Sequence, residues 1–187
     1  QINTHSYGGT QRQQLYSIAK QYGKRLWQSE SGPLWVTPPE QTDIAYDLLI
    51  AARIVQDMHD MHVNAWIDWQ LMDSYTNTWG LLRYNDSAHT FVKTKNYFVR
   101  MQFSRFIKPG YTVIESNQAN TLAAINPANN EIVVVVVNPT LSAAAYKLDM
   151  NLLAGVSSAQ VYRTSATEDC SSLGSMSFTN NIMSYTA

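Results

Sequence analysis

The pattern that most limits the fold lies between residues 25 and 69. There, two short apolar runs flank one long helical stripe. Ile44, Ala45, Leu48, Leu49, Ala52, Val55 and Met58 recur at helical spacing and define one buried face. The runs at 25–30 and 63–69 are too short for helices and read as strands. Upstream, residues 2–7 read as a further strand. Gly8-Gly9-Thr10 then turn the chain into a helix carrying Leu15, Ile18, Ala19 and Tyr22, with Thr10 as N-cap and Gly23 at the C-cap. After Trp69 a long loop containing Trp79-Gly80 leads to a helix over 91–107 that stops at Lys108-Pro109-Gly110. Three strand–helix units in a row predict a parallel sheet with helices packed on it.

Beyond Gly110 the texture changes. Segments 111–115, 121–126, 132–138, 144–148 and 160–163 read as strands between Asn, Pro, Ser and Gly turns. Within them, Ile132 to Val137 is β-branched throughout and is expected to be a central strand buried on both faces. The expected organisation is therefore α/β over residues 1–109 and all-β over 110–187.

Charge narrows the class of partner. Thirteen basic and fourteen acidic side chains leave a net charge of −1, so no basic face for nucleic acid is indicated. No apolar run approaches the ~20 residues of a membrane span. Charged residues are 14% of the chain and aromatic residues 11%, a mix suited to neutral polar ligands met by flat apolar faces. The same mix also fits a well-packed core with ordinary surface tyrosines. The single cysteine, Cys170, excludes an intrachain disulfide and a thiolate metal site. His59 and His62 lie where a helix runs into the base of the next strand, and no third ligand accompanies them, so no metal and no cofactor are expected. Asn85-Asp86-Ser87 is a glycosylation sequon that matters only for a chain secreted from a eukaryote.

In so weakly charged a chain, Glu30 stands out. It ends the second strand, in Arg25-Leu-Trp-Gln-Ser-Glu-Ser-Gly-Pro-Leu-Trp35, and the C-terminal rim of parallel strands is where α/β folds place chemistry. A carboxylate there serves as nucleophile, general base or ligand anchor. A helix cap, or a surface pair with Arg25 or Arg53, is the structural alternative. His5 and Tyr7 are two apart on the neighbouring strand and face the same way, so Tyr7 is placed to donate to Glu30, with His5 one layer deeper. On the third strand Trp69 shares a face with Ala65 and Ile67 and reads as a flat platform at the rim, whereas Trp66 and Trp27 are expected to face the helices. Gln70, Asp73, Trp35 and Trp79 lie on the following loops, where either substrate contact or plain packing would explain them.

Three stretches carry a family likeness. Asn3-Thr-His-Ser-Tyr7, Leu26-Trp-Gln-Ser-Glu30 and Asn64-Ala-Trp-Ile-Asp-Trp-Gln70 resemble the sixth, seventh and eighth barrel strands of glycoside hydrolase family 30. Gln102-Phe-Ser-Arg-Phe-Ile-Lys-Pro-Gly-Tyr111 is similar to that family's passage from barrel to β-sandwich. The resemblance implies the last three strand–helix units of a (β/α)8 TIM barrel followed by a β-sandwich, with Glu30 as the nucleophile of a retaining glycosidase. It also implies Tyr7 as a donor to Glu30 and a secreted enzyme acting on a polysaccharide, for which His5, Trp35, Trp69 and Gln70 are by their position the candidate substrate contacts beside the packing alternative. The endo-β-1,6-galactanase-like members look nearest, with xylanase- and glucosylceramidase-like activities as alternatives within the family. The acid/base glutamate of that family falls upstream of Gln1, and a last sandwich strand falls beyond Ala187. The chain is thus expected to be a fragment that needs the N-terminal half of the barrel and is weakly active or inactive alone. A non-catalytic carbohydrate-binding protein is the competing reading.

Overall fold

The computed structural model describes residues 1–32, 42–74, 78–140, 142–153 and 155–187. Its first part is β1 (Ile2–His5), α1 (Arg12–Gln21), β2 (Leu26–Ser31), α2 (Asp43–Met61) and β3 (Ala65–Asp68), with the three strands parallel in the order β1-β2-β3. Helix α1 starts from Gln11 without a side-chain cap, so Thr10 does not fill that role. Its other end is followed by Gly23 at φ 58°, the left-handed position that glycine occupies at no steric cost.

The long stripe seen in sequence is buried on two sides. Leu26, Val63, Ala19 and Met61 form one small core between the parallel strands and the helices. Ala51, Ile54 and Val55 of α2 enter a larger core with Val99 and Phe103 of α3 (Lys95–Ser104), Leu122 of β8 (Thr121–Asn126) and Val135 of β9 (Glu131–Val136). Helix α2 is therefore apolar over more than one stripe because it is sandwiched between two layers. Fully burying each such side chain contributes roughly 1.5–3 kcal/mol. At its polar edge Asp57, fully buried, accepts from Arg12 of α1 (Nε, 2.8 Å) and from Trp66 of β3 (Nε1, 2.9 Å). One carboxylate thereby ties α1, α2 and β3 together.

The segment after Trp69 is not a loop. Met72–Asp73 (β4), Leu82–Asn85 (β5) and Thr90–Lys93 (β6) form a small sheet in the order β4-β5-β6 before α3 begins. Thr94 caps α3 by accepting from the Tyr97 amide, and its own hydroxyl donates to the Gly80 carbonyl at 2.8 Å. The helix is shorter than the expected 91–107 because residues 90–93 pair with β5 instead.

The rest is antiparallel: β7 (Thr112–Ile114) with β8 and β9, β10 (Ala145–Asp149) with β13 (Ile182–Thr186), and β11 (Ser158–Arg163) with β12 (Ser171–Ser177). Two of these strands, β12 and β13, are rich in Ser and Met and escape the sequence reading. The valine run also differs from expectation. Among the described residues β9 pairs only with β8, so it is an edge strand; Val135 is its buried member, Glu131 is exposed, and Val137, just past its end, is buried as well. The centre of that sheet is β8, whose Leu122, Ala123 and Ala124 are all buried.

A second buried charge cluster joins helices to the end of β3. Arg100 of α3, itself buried, donates from Nη2 to Asp68 Oδ1 at 2.5 Å, and its guanidinium lies 4.5 Å from the Trp66 ring centre. Asp47 of α2 is fully buried nearby, and burial pushes its carboxyl up to about 8 against the opposing pull of Arg100. A carboxyl raised on folding binds its proton more tightly in the native state, so its stabilising effect is complete below its unfolded value and is lost as pH rises toward about 8. Asp47→Asn, which mimics the protonated form, should therefore flatten the fall in thermal midpoint between pH 5 and 8.5. Differential scanning calorimetry across that range reads the difference.

Candidate active site

The strand that carries Glu30 is built so that its side chain leaves the helical layer. Leu26 and Gln28 of β2 are buried on the side that packs against α1 and α2, and strict alternation would send Glu30 the same way. It does not, because β2 holds an extra residue. Ile2 and Thr4 of β1 pair with Leu26 and Gln28, but His5 pairs with Glu30, and the β3 side shows the same slip between Gln28 and Ser31. A bulge of this kind re-aims one side chain to the opposite face.

Two polar side chains answer the backbone groups beside the bulge. Ser29 Oγ donates to the Thr4 carbonyl at 3.2 Å, and Gln28 Oε1 accepts from the Ile67 amide at 3.0 Å. Glu30 thus joins the open face shared by Asn3 and His5. Trp27, paired with Asn3 and Ala65 and opposite in alternation to Leu26, lies on that open face too, contrary to the expectation that it faces the helices. Trp66 does face them.

On the open face the three residues come together. Tyr7 Oη donates to Glu30 Oε1 at 3.0 Å, and His5 Nε2 lies 3.5 Å from Glu30 Oε2. The two rings pack edge to face with centroids 6.2 Å apart. His5 is therefore beside the carboxylate rather than a layer below it. Its side chain is 57% exposed and that of Glu30 27% exposed, so the carboxylate is accessible yet partly shielded. Arg53 does not pair with Glu30; its guanidinium donates to the Ser6 carbonyl at 3.0 Å.

Burial first, then the hydrogen bond to Glu30 and the nearby charges of Glu30 and Asp68, push the Tyr7 phenol up to about 12. The phenol accordingly keeps its proton, and its role as donor, at any pH near neutrality.

The third strand supplies the rim. The Trp69 amide donates to the Ser31 carbonyl at 2.7 Å, which fixes this tryptophan beside the residue that follows Glu30. Trp69 is 47% exposed and is joined to Gln70 by a cis peptide bond. Gln70 exchanges backbone hydrogen bonds with Trp79 and Leu81, which anchors the β4–β6 sheet to the rim. Gly32 is required there, since a Cβ would stand 2.5 Å from the Trp69 carbonyl oxygen and 3.1 Å from the Trp79 ring. Trp79 packs against that glycine, and Asp73 is buried in β4. Trp35 lies outside the described residues.

The two histidines of the α2 terminus are engaged elsewhere. His59 Nε2 is 2.9 Å from the Thr121 carbonyl, and the His62 ring packs on Tyr16 at 4.3 Å. Among the described residues no three candidate ligands gather for a metal ion, and no helix is long and apolar enough to cross a membrane.

Glu30 is thus an accessible, hydrogen-bonded carboxylate at the C-terminal rim of three parallel strands, the edge at which α/β folds commonly place chemistry. No family model matches the sequence. It is 34% identical over 140 residues to an endo-β-1,6-galactanase from Hypocrea rufa, covering 73% of this chain and 27% of that protein. It is 27% identical over 146 residues to a glucuronoxylanase from Bacillus subtilis (strain 168), covering 73% of this chain and 32% of that one. Among solved structures, a glycoside hydrolase family 30 subfamily 8 xylanase from Clostridium acetobutylicum superimposes with a TM-score of 0.72 at 26% identity, over 99% of this chain and 45% of that chain. In sequence the chain is similar to the galactanase and, at lower identity, to the glucuronoxylanase, and in fold it is similar to the glycoside hydrolase family 30 xylanase. It spans about a quarter to a third of the length of these curated relatives.

Proposed function

We propose that this chain carries the nucleophile of a retaining β-glycoside hydrolase, with Glu30 in that role. The observation that carries the reading is the bulge in β2, which turns Glu30 onto the open face and within 3.0 Å of the Tyr7 hydroxyl. A nucleophilic carboxylate has to be reachable and held still, and a partly exposed side chain with one phenol donor supports both. In the proposed reaction a Glu30 oxygen attacks the anomeric carbon while the glycosidic C–O bond breaks. A carboxylic acid on the other side of the bond protonates the leaving oxygen. The resulting carboxylate then takes a proton from water, which attacks the glycosyl ester and frees Glu30.

The acid/base group belongs, in this proposal, to sequence outside these 187 residues, since the matched relatives are about two to four times the length that the chain spans. The three parallel strands are then the last three of a (β/α)8 barrel, and residues 110–187 contribute to a β-sandwich beside it. His5 and Trp69 line the subsite at Glu30, with Gln70 behind them. The substrate is an extracellular polysaccharide, with β-1,6-galactan ranked before xylan because identity is higher to the galactanase.

Proton NMR of the first product formed from β-1,6-galactan by the full-length protein tests the mechanism. The β-anomer should appear first and mutarotate later; an α-anomer appearing first would contradict a covalent intermediate on Glu30.

A further inference from the structure

Six of the eleven large hydrophobic side chains left exposed among the described residues fall between Ile67 and Val92, and Phe91 is 63% exposed. Most of these lie on or beside the β4–β6 sheet, which leaves the chain at the C-terminal end of β3 and returns it to α3. The sheet therefore stands at the same end of the parallel strands as Glu30. It is joined to that rim by backbone bonds from Gln70 and Leu71 to residues 79–82.

Register separates its two faces. Asp73, Arg83 and Val92 occupy one. Met72, Leu82, Tyr84 and Phe91 share the other, with Tyr84 directly opposite Phe91 across the antiparallel pair. Lys93 is the only charged residue in register with that second face, and its Nζ lies over the Tyr97 ring at 4.9 Å. No carboxylate is among these face residues. A face of this kind, apolar apart from Lys93 and without a carboxylate, is matched by the C–H face of a neutral sugar ring rather than by a strongly charged partner.

We propose that Tyr84 and Phe91 form a stacking platform for a sugar unit of the polysaccharide, remote from the bond that is cleaved. The commitment to a glycan rather than a second copy of the chain rests on continuity with the rim that carries Trp69 and Glu30. It therefore rests on the glycosidase reading. Platform residues act on the polymer strand and not on the reacting atoms. Their loss should weaken binding of long substrates and leave short ones untouched.

The test is run in the full-length protein. In a Glu30→Gln background, affinity electrophoresis in gels containing β-1,6-galactan or glucuronoxylan measures binding with no turnover. Phe91→Ala and Tyr84→Ala should each weaken retention by one of these polymers about ten-fold, as loss of one stacked ring implies. With Glu30 intact, the same substitutions should raise KM on that polymer and leave kcat/KM on a nitrophenyl glycoside unchanged. Equal retention with and without Phe91 and Tyr84, or no retention by either polymer, overturns the platform. So does dissolution of a dimer, seen by light scattering, without any change in retention. Turnover that survives Glu30→Gln would instead overturn the nucleophile reading, and the retention measurement would still judge the platform.

Discussion

Glu30→Gln in the full-length protein should reduce kcat by roughly a thousand-fold or more while leaving polysaccharide binding nearly unchanged. The reasoning is specific to this site. The amide oxygen of glutamine can still accept from Tyr7 Oη, which sits 3.0 Å from Oε1, and the bulge that aims the side chain is a backbone feature. What is lost is the negative charge and the nucleophilic oxygen. Kinetics on β-1,6-galactan and retention in a galactan gel, measured side by side, separate the two properties. Loss of both together would point to a folding role for Glu30, and retention of both would end its assignment as nucleophile.

The second large effect concerns Arg100→Met. Removing the guanidinium leaves Asp47, fully buried, and Asp68, largely buried, without the cation that both face. Breaking one side of a buried ion pair costs about 3–5 kcal/mol, most of it from the charge left behind. Asp68 is 32 residues away from Arg100 in sequence and is the last residue of β3, so the damage reaches the strand end that presents Trp69. Burial already holds the Asp68 carboxyl above its ordinary range even with Arg100 beside it, and it would rise further without that cation. A carboxyl raised in the folded state loses its contribution as pH increases, so the loss should deepen from pH 5 to pH 8. Chemical denaturation at both pH values checks the size and the sign. A loss below 1 kcal/mol at both would mean that the pair is balanced by solvent.

Much of this architecture was legible because it rests on periodicity. The stripe from Ile44 to Met58 marks α2, and the short apolar runs mark β2 and β3, since a chain of that pattern has few other ways to bury it. Residues 70–94 were not legible as a sheet. Their strands are four residues or fewer, Met72, Phe91 and Val92 stay exposed and Leu82 and Tyr84 are only half-buried, so no buried apolar face announces them. The valine run misled for the converse reason: β-branched composition reports fitness for a strand, not a central position, and β8 with its two alanines holds the centre.

At the site, sequence placed Glu30 at a strand end but could not give the direction of its side chain. By alternation from Leu26 it belongs with the helices, and only the bulge reverses that. The available signals were Gln28 and Ser29, polar residues in the middle of a short strand, one fully buried and both bonded to neighbouring backbone. The same slip explains Trp27, which ordinary expectation assigned to the core.

Covalent trapping tests the central claim most directly. An activated 2-deoxy-2-fluoro-galactoside forms a glycosyl ester faster than water releases it, and peptide mass spectrometry then locates the sugar. The account predicts a single fluorogalactosyl group on the peptide containing Leu26 to Ser31, fragmenting to Glu30, and none in the Glu30→Gln protein. A label on any other carboxylate, with Glu30 unmodified, would contradict it.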